Sequence, residues 1–310
     1  MAIFVIMKNL PLILVASLAL FTSCNMNNPL LQESPLPYGA PQFDKIKTSD
    51  YLPAFKAGIS QGKKEIDAIV NNPEPPTFKN TIEALEFAGE KLTNISSIFY
   101  NLMEADSNDE MQAIAEKVSP LMTRYEMYIS LNDKLFSRVK AVYAQKDSLG
   151  VEKDQMKLLE KTYKSFVRNG AGLSAEDKKT YSKYQEELSL LTLKFDKNLL
   201  ASTNAYTLNI SSEDSLSGLP QFVRDMGAAA ASEKGQKGWT FDLSYPSYSA
   251  FMKYSDSESM RKQMFVAYNS KAFGGEYDNS ETCKKIAELR LKTAKLLGYE
   301  TYADYALEDR

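Results

Sequence analysis

The stretch FVRNGAGLSAEDKKTYSKYQEELSLLTLKFDKNLLAST, residues 166–203, decides the fold class, because it holds a helix start followed by a long apolar stripe. Ser174 is typical of a helix N-cap, and the acids Glu176 and Asp177 suit the positive end of the helix dipole. Apolar residues then recur at helical spacing, at Leu188, Leu191, Phe195 and Leu199. A stripe of this kind is core far more often than site, so the stretch predicts one long helix of a mainly α protein.

The residues on either side extend the helical pattern and add a small β ribbon. From Thr48 onward, apolar residues recur at helical spacing up to Asn71-Asn72-Pro73, where the first helix should end. The breaker NPEPPTFKN follows, and Asn80 opens the next helix with cap chemistry. Strand-like composition occurs twice, at 206–210 and 239–244. The predicted fold class is therefore mainly α: a multi-helix domain with a small two-stranded β ribbon.

The amino terminus has the three regions of a bacterial lipoprotein signal. Lys8 supplies a positive charge, residues 10–21 are almost continuously apolar, and Phe21-Thr22-Ser23-Cys24 resembles a lipobox. We expect cleavage before Cys24, so that residues 1–23 are a signal peptide and Cys24 carries the lipid. The alternative is an uncleaved short anchor or a chance cysteine.

Residues 24–41 are rich in Pro, Asn and Ser, which predicts a flexible tether between the lipid and a helical body at 42–310. The membrane would then be a partner of this chain through the lipid on Cys24. We expect a lipid-anchored protein of the bacterial cell envelope that faces the periplasm. The residues after Cys24 carry no acidic sorting signal, so the choice of membrane and leaflet stays open.

Composition excludes several classes of function. Lys and Arg total 37 against 40 Asp and Glu, a net charge of −3. The chain therefore lacks the excess of basic residues that is typical of proteins that bind nucleic acid. The 310 residues contain no histidine, which excludes a Ser-His-Asp triad, a Cys-His pair and an H-E-x-x-H zinc site. Once Cys24 is acylated, Cys283 is the one remaining thiol and no internal disulfide can form. Carboxylate chemistry stays open, but the scattered acids single out no pair.

A cluster of oxygen ligands at DSNDEMQAIAEKV is better explained as a helix start than as a calcium loop. Asp106, Asn108, Asp109 and Glu110 lie close in sequence, but an EF-hand loop needs Gly at its sixth position, where Met111 stands. We interpret Ser107 or Asn108 as a helix cap followed by acids in the first turn.

Several segments, taken in order, carry a resemblance to a known family. They are FDKIKTSDYLPAF, PPTFKNTIEALE, AIAEKVSPLMTRY, NDKLFSRVKAVY, the stretch at 166–203, GLPQFV, YPSYSAFMKYSDSESMRKQMFVAYNSKAF and IAELRLKTAKLLGYETYADYALEDR. They resemble the amino-terminal half of the thimet oligopeptidase family of zinc metallopeptidases, with the bacterial peptidyl-dipeptidases as the nearest branch. The resemblance runs from about Phe43 to Arg310, and the spacing within 166–203 is its strongest single match.

The resemblance implies a mostly helical, two-part protein whose halves enclose a channel that admits short, unfolded peptides and releases dipeptides from their carboxyl ends. In that family, zinc is held by an H-E-x-x-H helix of the carboxyl-terminal half, and this motif is absent from the 310 residues. We therefore expect the chain to be truncated before that region. By itself it should bind no zinc and be inactive, and the carboxyl-terminal half should be its packing partner.

No residue of the chain is assigned a catalytic or metal-binding role. The candidate for a channel wall is an aromatic-rich set: Trp239, Phe241, Tyr245, Tyr248, Phe251 and Tyr254. The competing interpretation, which we favour for these side chains, is burial in an ordinary core.

Two other functions remain open from the sequence. One is a helical lipoprotein that binds peptides or a partner without catalysis, and the other is an enzyme that uses carboxylates alone. A downstream H-E-x-x-H in the gene would support the peptidase, whereas a stop codon followed by unrelated sequence would support the binding protein.

The end of the chain carries a helix start with little room behind it. Thr301 and Asp304 have the spacing of a capping box, and few residues follow. The apolar surface of Tyr302, Tyr305, Ala306 and Leu307 would need a partner, which the resemblance places in the other half. We therefore expect residues from about Thr301 to be poorly ordered in this chain.

Overall fold

A computed structural model describes residues 28–310, so the predicted signal peptide and Cys24 lie outside the described residues. The structure is 71% helical with one small antiparallel sheet in the described part, which confirms the predicted fold class. The described residues form two compact units: unit 1 comprises 28–189 and 293–310, and unit 2 comprises 190–292. Within these ranges, no helix is both long and apolar enough to cross a bilayer.

Unit 1 is a set of helices packed around the first one. In chain order its elements are α1 (Thr48–Val70), a π-helical turn (Phe78–Glu83) that continues into α2 (Ala84–Phe87), α3 (Glu90–Ala105), α4 (Asp109–Ser130), α5 (Asp133–Tyr143), α6 (Lys153–Arg168) and the first part of α7 (Ala175–Ala205). Short 3₁₀ turns lie at Pro29–Leu31, Pro37–Gly39 and Lys146–Ser148. Helix α1 ends where Asn71-Asn72-Pro73 predicts, and Asn108 caps α4 by accepting the Met111 N–H at 2.9 Å.

Helix α1 is the centre of the unit 1 core because small and apolar residues alternate along one face. A Cβ at Gly62 would lie 2.2 Å from the Tyr125 hydroxyl of α4, so only glycine allows these two helices to approach so closely. Toward the start of α1, Tyr51 and Phe55 pack edge-on against Phe99 of α3, with ring centroids 4.9 and 5.4 Å away. All three rings are buried, so this end of the core is largely aromatic.

The breaker after α1 is held by a buried arginine of α5. The Arg138 guanidinium donates to the carbonyl oxygens of Asn72 and Glu74 at 3.0 and 3.3 Å, and to Asn80 Oδ1 at 3.2 Å. The cap of the next helix is Thr77 instead of Asn80, because the Thr77 hydroxyl accepts the Asn80 N–H and Asn80 Oδ1 accepts the Thr77 N–H. The sequence predicts cap chemistry at this point but assigns the cap to Asn80, which is the N3 residue of the box.

The first described residues of the predicted tether pack onto the folded body. Leu30 is buried against α1, and Asn28 Nδ2 donates to the Asp50 carbonyl oxygen at 2.8 Å. Asn28 also caps the 3₁₀ turn by accepting the Leu30 N–H. The tether predicted for 24–41 is therefore anchored to unit 1 at this point, although its composition gives no sign of the contact.

Unit 2 is built around the ribbon. It contains the rest of α7, β1 (Thr207–Ile210), a 3₁₀ turn (Glu213–Leu216), α8 (Gln221–Glu233), β2 (Trp239–Asp242), α9 (Tyr245–Tyr254), α10 (Glu258–Asn269) and most of α11 (Ser280–Leu296). The strands are antiparallel, with Thr207 opposite Asp242 and Ile210 opposite Trp239. Both strands fall inside the segments with strand-like composition, so the predicted ribbon is confirmed.

The chain returns to unit 1 in the last turn of α11, and the final helix, α12 (Tyr302–Leu307), begins as predicted. The Asp304 carboxylate accepts the Thr301 N–H at 2.9 Å, and the Thr301 hydroxyl accepts the Asp304 N–H at 3.1 Å. This reciprocal pair is the capping box expected from the sequence.

The expectation of disorder after Thr301 is contradicted, because α6 supplies a partner for α12. Arg168 forms an ion pair with Glu308, donates to the Tyr305 carbonyl oxygen at 2.6 Å, and has its guanidinium carbon 4.5 Å from the centre of the Tyr305 ring. Lys164 pairs with Asp309 at 2.8 Å. Contacts inside unit 1 therefore hold the end of the chain.

Candidate functional site

Two of the six predicted channel-wall residues are core residues. The Phe241 and Phe251 rings are fully buried and pack against each other with centroids 4.8 Å apart. Helix α8 approaches the Phe241 ring at Gly227, where a Cβ would lie 2.8 Å from Phe241 Cζ. Neither ring can contact a ligand, which agrees with the core interpretation of these positions.

The other four wall residues lie at or near the surface of unit 2. Trp239, Tyr248 and Tyr254 are half-buried and pack against the apolar cluster that contains Phe241. Tyr245, at the start of α9, is 72% exposed. The sequence thus selects a segment whose aromatic side chains divide between the core and its outer surface.

The turn from β2 into α9 fixes the direction of these aromatic side chains. The Asp242 N–H donates to Ser247 Oγ at 3.0 Å, and the Asp242 carboxylate accepts the Ser244 N–H at 3.0 Å. Ser247 is buried, so the turn is held from inside the unit. Tyr245 and Tyr248 therefore project from a helix whose start is fixed by hydrogen bonds on both sides.

A lysine ammonium lies against one aromatic pair on this surface. The Tyr248 ring stacks on Tyr268 of α10 with centroids 3.8 Å apart, and Lys271 Nζ lies 3.8 Å from the centre of the Tyr268 ring. Burial lowers the pKa of Lys271 from its ordinary value. This ring-and-ammonium arrangement can contact apolar or aromatic groups and, at its edge, an anionic group.

A second aromatic contact lies at the other end of α9. The Tyr254 ring meets the exposed Phe222 of α8 edge-on, with centroids 5.9 Å apart. Lys253 Nζ lies 5.0 Å from the centre of the Tyr254 ring. We use the name aromatic surface for the exposed or half-buried residues of both contacts together with Trp239 and Tyr245: Phe222, Trp239, Tyr245, Tyr248, Tyr254 and Tyr268.

The sequence does not single out Phe222, Tyr268 and Lys271. The position of Tyr268 could have been predicted from the sequence spacing. Met264 and Tyr268 are four residues apart on α10 and therefore share a helix face. Met264 is fully buried under α9, so Tyr268 follows it toward the same neighbour. Phe222 has no such signal, because its contact with Tyr254 depends on how separate helices meet. Lys271 lies only three residues after Tyr268, so its contact with that ring is local in sequence.

The described residues do not bring metal ligands together. Among residues 28–310, no group of three or more His, Cys, Asp or Glu side chains lies together as a metal site would require. Cys283 is an exposed free thiol, and the sequence has no histidine. These side chains do not fit the zinc site of a metallopeptidase.

Comparison with known proteins identifies similar sequences. Residues 251–310 match the model of peptidase family M3. Over 91% of its length, the chain is 36% identical to the dipeptidyl carboxypeptidase of Salmonella typhimurium and 34% identical to that of Escherichia coli. It is 29% identical, again over 91% of its length, to oligopeptidase A of Haemophilus influenzae. The chain spans 42% of the length of each of these relatives, in their amino-terminal half.

Proposed function

This chain is related to the amino-terminal part of peptidase family M3 proteins, and from this premise we propose that it serves in an oligopeptidase that acts on short peptides. The names of the relatives, dipeptidyl carboxypeptidase and oligopeptidase A, support proteolysis of peptides. We propose release of dipeptides from the carboxyl end, since the relatives with the higher identities are dipeptidyl carboxypeptidases.

In this proposal, the aromatic surface of unit 2 contacts side chains of the peptide. Tyr245 is 72% exposed at the start of a helix whose preceding turn is fixed by hydrogen bonds. The Tyr248 ring is held by its stack on Tyr268, whose other face carries Lys271. Aromatic contacts of this kind contribute about 0.5–1.5 kcal/mol each and tolerate many peptide sequences. The accessible aromatic rings beside a fixed helix start are the observation that supports this role.

Zinc-dependent peptide hydrolysis by an H-E-x-x-H site would need histidine ligands, which these 310 residues do not contain. The donor set does not fit zinc, so no step of zinc-dependent hydrolysis is assigned to this chain. We propose that an H-E-x-x-H segment supplies that chemistry and that its domain packs on this chain. Sequencing the gene beyond codon 310 tests this directly. An H-E-x-x-H in frame, or after one frameshift, supports the peptidase; unrelated sequence after a stop codon supports the non-catalytic peptide-binding lipoprotein.

Peptide binding can be followed with the single tryptophan of the chain, because Trp239 is part of the aromatic surface. Adding the tetrapeptide Ala-Phe-Ala-Phe to the purified chain should change the Trp239 fluorescence with saturation. Tyr245→Ala should weaken the apparent affinity by about three- to tenfold, the loss of one aromatic contact.

The matched control is Phe87→Ala, which removes an equally accessible ring from unit 1, where Phe87 is 65% exposed. Its affinity for the peptide should equal that of the unchanged chain. A fluorescence change that does not saturate, or the same loss in both variants, would count against a peptide-binding role for the aromatic surface.

We also propose that the chain is lipid-anchored at Cys24 and faces the periplasm. The lipobox Phe21-Thr22-Ser23-Cys24 behind an apolar run supports the anchor. Mass spectrometry of the protein from its native membrane tests it: an unmodified thiol at Cys24 would contradict the proposal. Digestion by protease added to intact cells would contradict the periplasmic orientation.

A further inference from the structure

Unit 1 contains a cleft that the proposed function does not use. It lies where α1, α4 and α7 meet and has a volume of about 630 Å³. Its lining includes Lys63 of α1, Arg124 of α4, and Lys178, Lys179 and Lys183 of α7, with Glu186 as the one acid. The lining therefore carries five cations and one acid in a protein whose net charge is −3.

Part of this positive charge is neutralised within the unit. Arg124 makes a two-pronged contact with Glu186, with Nε and Nη2 at 3.0 and 2.9 Å from the two carboxylate oxygens. Lys178 donates to the Leu131 carbonyl oxygen at 3.2 Å and forms an ion pair with Asp133. The Arg124–Glu186 and Lys178–Asp133 ion pairs therefore hold these side chains in place at the cleft.

Three cations remain without a carboxylate partner among residues 28–310. Lys179 and Lys183 are exposed and form none of the ion pairs in the described part of the chain. Lys63 lies 5.0 Å from the centre of the Tyr128 ring, a contact with an aromatic face instead of a carboxylate. All three can accept an anionic partner without breaking an existing ion pair.

The cleft also has an apolar lining. Met127, Tyr128 and Leu131 of α4 lie between the cations of α1 and α7 and are half-buried. The Tyr128 hydroxyl donates to the Asp67 carboxylate, so this ring is fixed in orientation. The cleft therefore combines an ordered apolar floor with a cationic rim.

We propose that this cleft binds an extended peptide in which acidic and apolar residues alternate. Lys179 and Lys183 are four residues apart on α7, so their Cβ atoms are about 5–6 Å apart. Every second residue of an extended chain points the same way, at a spacing of about 6.6 Å. In this proposal the peptide lies between α7 and the α4 side of the cleft: acidic side chains two residues apart point to the two lysines, and the residues between them point the opposite way, toward Met127 and Leu131.

Charge and shape favour this occupant over other anions. A small inorganic anion would leave the apolar floor exposed to water, and nucleic acid would meet a chain whose overall charge is negative. The inference is independent of the peptidase proposal, because all lining residues belong to unit 1 and none to the aromatic surface.

The test is the binding of fluorescein-labelled Glu-Leu-Glu-Leu-Glu-Leu to the full chain, followed by fluorescence anisotropy. We expect saturable binding that the double variant Lys179→Gln/Lys183→Gln weakens about tenfold, since two exposed ion pairs are lost. Raising the ionic strength from about 0.01 M to about 1 M shortens the Debye length from about 30 Å to about 3 Å and should abolish most of the binding.

The matched control is Lys153→Gln/Lys157→Gln, which removes the same charge at the same spacing from the exposed side of α6. It should retain the affinity of the unchanged chain, and the peptide Gln-Leu-Gln-Leu-Gln-Leu should not bind. Equal losses in both double variants, equal binding of the Gln peptide, or no binding at all would overturn the proposal. Sedimentation with phosphatidylglycerol vesicles that depends on Lys179 and Lys183, without binding of the acidic peptide, would also overturn it.

Discussion

Gly227 is the residue that tests the packing of unit 2 most directly. The Cβ of alanine at this position would lie 2.8 Å from the Phe241 ring, which is fully buried against Phe251 and cannot turn away. Overpacking of this kind costs about 1–3 kcal/mol, whereas alanine gains about 1 kcal/mol over glycine in a helix. We expect Gly227→Ala to lower the free energy of unfolding by about 1 kcal/mol, measured by urea denaturation.

Gly172→Ala is the control for this substitution. No atom lies within 4 Å of a Cβ at Gly172, and its backbone is outside the left-handed region, so stability should be unchanged or slightly higher. A Gly227→Ala protein as stable as the unchanged chain would show that the Phe241 ring has room to move.

Tyr128 gives a prediction in alkaline solution. Its hydrogen bond to Asp67, with burial as a smaller cause, raises the pKa of Tyr128 to about 12 from an ordinary value near 10. The folded state therefore holds this proton more tightly than the unfolded state. The resulting stabilisation is complete below about pH 10 and is lost as the pH rises through about 12.

Asp67→Ala should return the pKa of Tyr128 toward 10, because the hydrogen bond is the largest cause of its rise. The measurement is the pH titration of the ¹³Cζ resonance of labelled tyrosine, assigned by its loss in Tyr128→Phe. A Tyr128 resonance that titrates near pH 10 in the unchanged chain would contradict the hydrogen bond.

Local signals at single residues were predictable, and contacts between distant residues were not. The caps at Asn108 and Thr301 follow from side chains that reach backbone groups three residues away, so the sequence contains all the information needed. Phe222 on Tyr254 and Arg168 on Tyr305 join separate helices. No local pattern specifies such pairs.

At the scale of secondary-structure elements, α12 tests how the end of the chain is held. The hydrogen bond from Tyr299, followed by the charge of Arg168, lowers the pKa of Glu308, and Lys164 lowers the pKa of Asp309. Because the folded-state pKa values are depressed, this stabilisation is present above the ordinary carboxyl pKa. It is lost as the pH falls through the lowered folded-state values.

We expect strong hydrogen-exchange protection of 302–309 at about pH 7 that declines below about pH 4, after correction for intrinsic exchange rates. Arg168→Gln should remove most of this protection at both pH values, since it breaks the Glu308 ion pair and the contact with the Tyr305 carbonyl oxygen. Lys157→Gln on the same helix is the control. Unprotected amides in the unchanged chain at neutral pH would restore the expectation of disorder from the sequence.

Whether a segment forms a helix or a strand was more predictable from the sequence than how deeply its apolar face is buried. The ribbon strands lie within the predicted segments because β-branched and aromatic residues favour extended backbone locally. The stripe of α7 was expected to be core, yet Leu188, Leu191, Phe195 and Leu199 are only half-buried. Periodicity identifies an apolar face, but which element covers that face is a property of the whole assembly.

At the scale of the whole molecule, the similarity to dipeptidyl carboxypeptidases and to oligopeptidase A confirms the resemblance. Whether this chain is catalytic is a separate question. The purified 310-residue chain should bind no stoichiometric zinc and release no dipeptides, because it has no histidine and a single described thiol. Metal analysis by mass spectrometry after dialysis checks the first point. A chelator-sensitive peptidase assay, with the Escherichia coli dipeptidyl carboxypeptidase as positive control, checks the second. One tightly held zinc per chain would contradict the prediction.

The distribution of exposed apolar side chains predicts that this chain associates with itself. Phe222, Phe265 and Phe273 of unit 2 are 61%, 52% and 75% exposed, and Val266 lies beside Phe265. Large exposed apolar side chains promote contacts between chains, so we expect association at about 100 μM in sedimentation velocity. Phe265→Ser/Phe273→Ser should reduce this self-association. Phe87→Ser, which removes a similarly exposed ring from unit 1, should leave it unchanged.

A chain that is monomeric at this concentration would contradict the prediction. Equal effects of both variants would show that the association is not specific to unit 2.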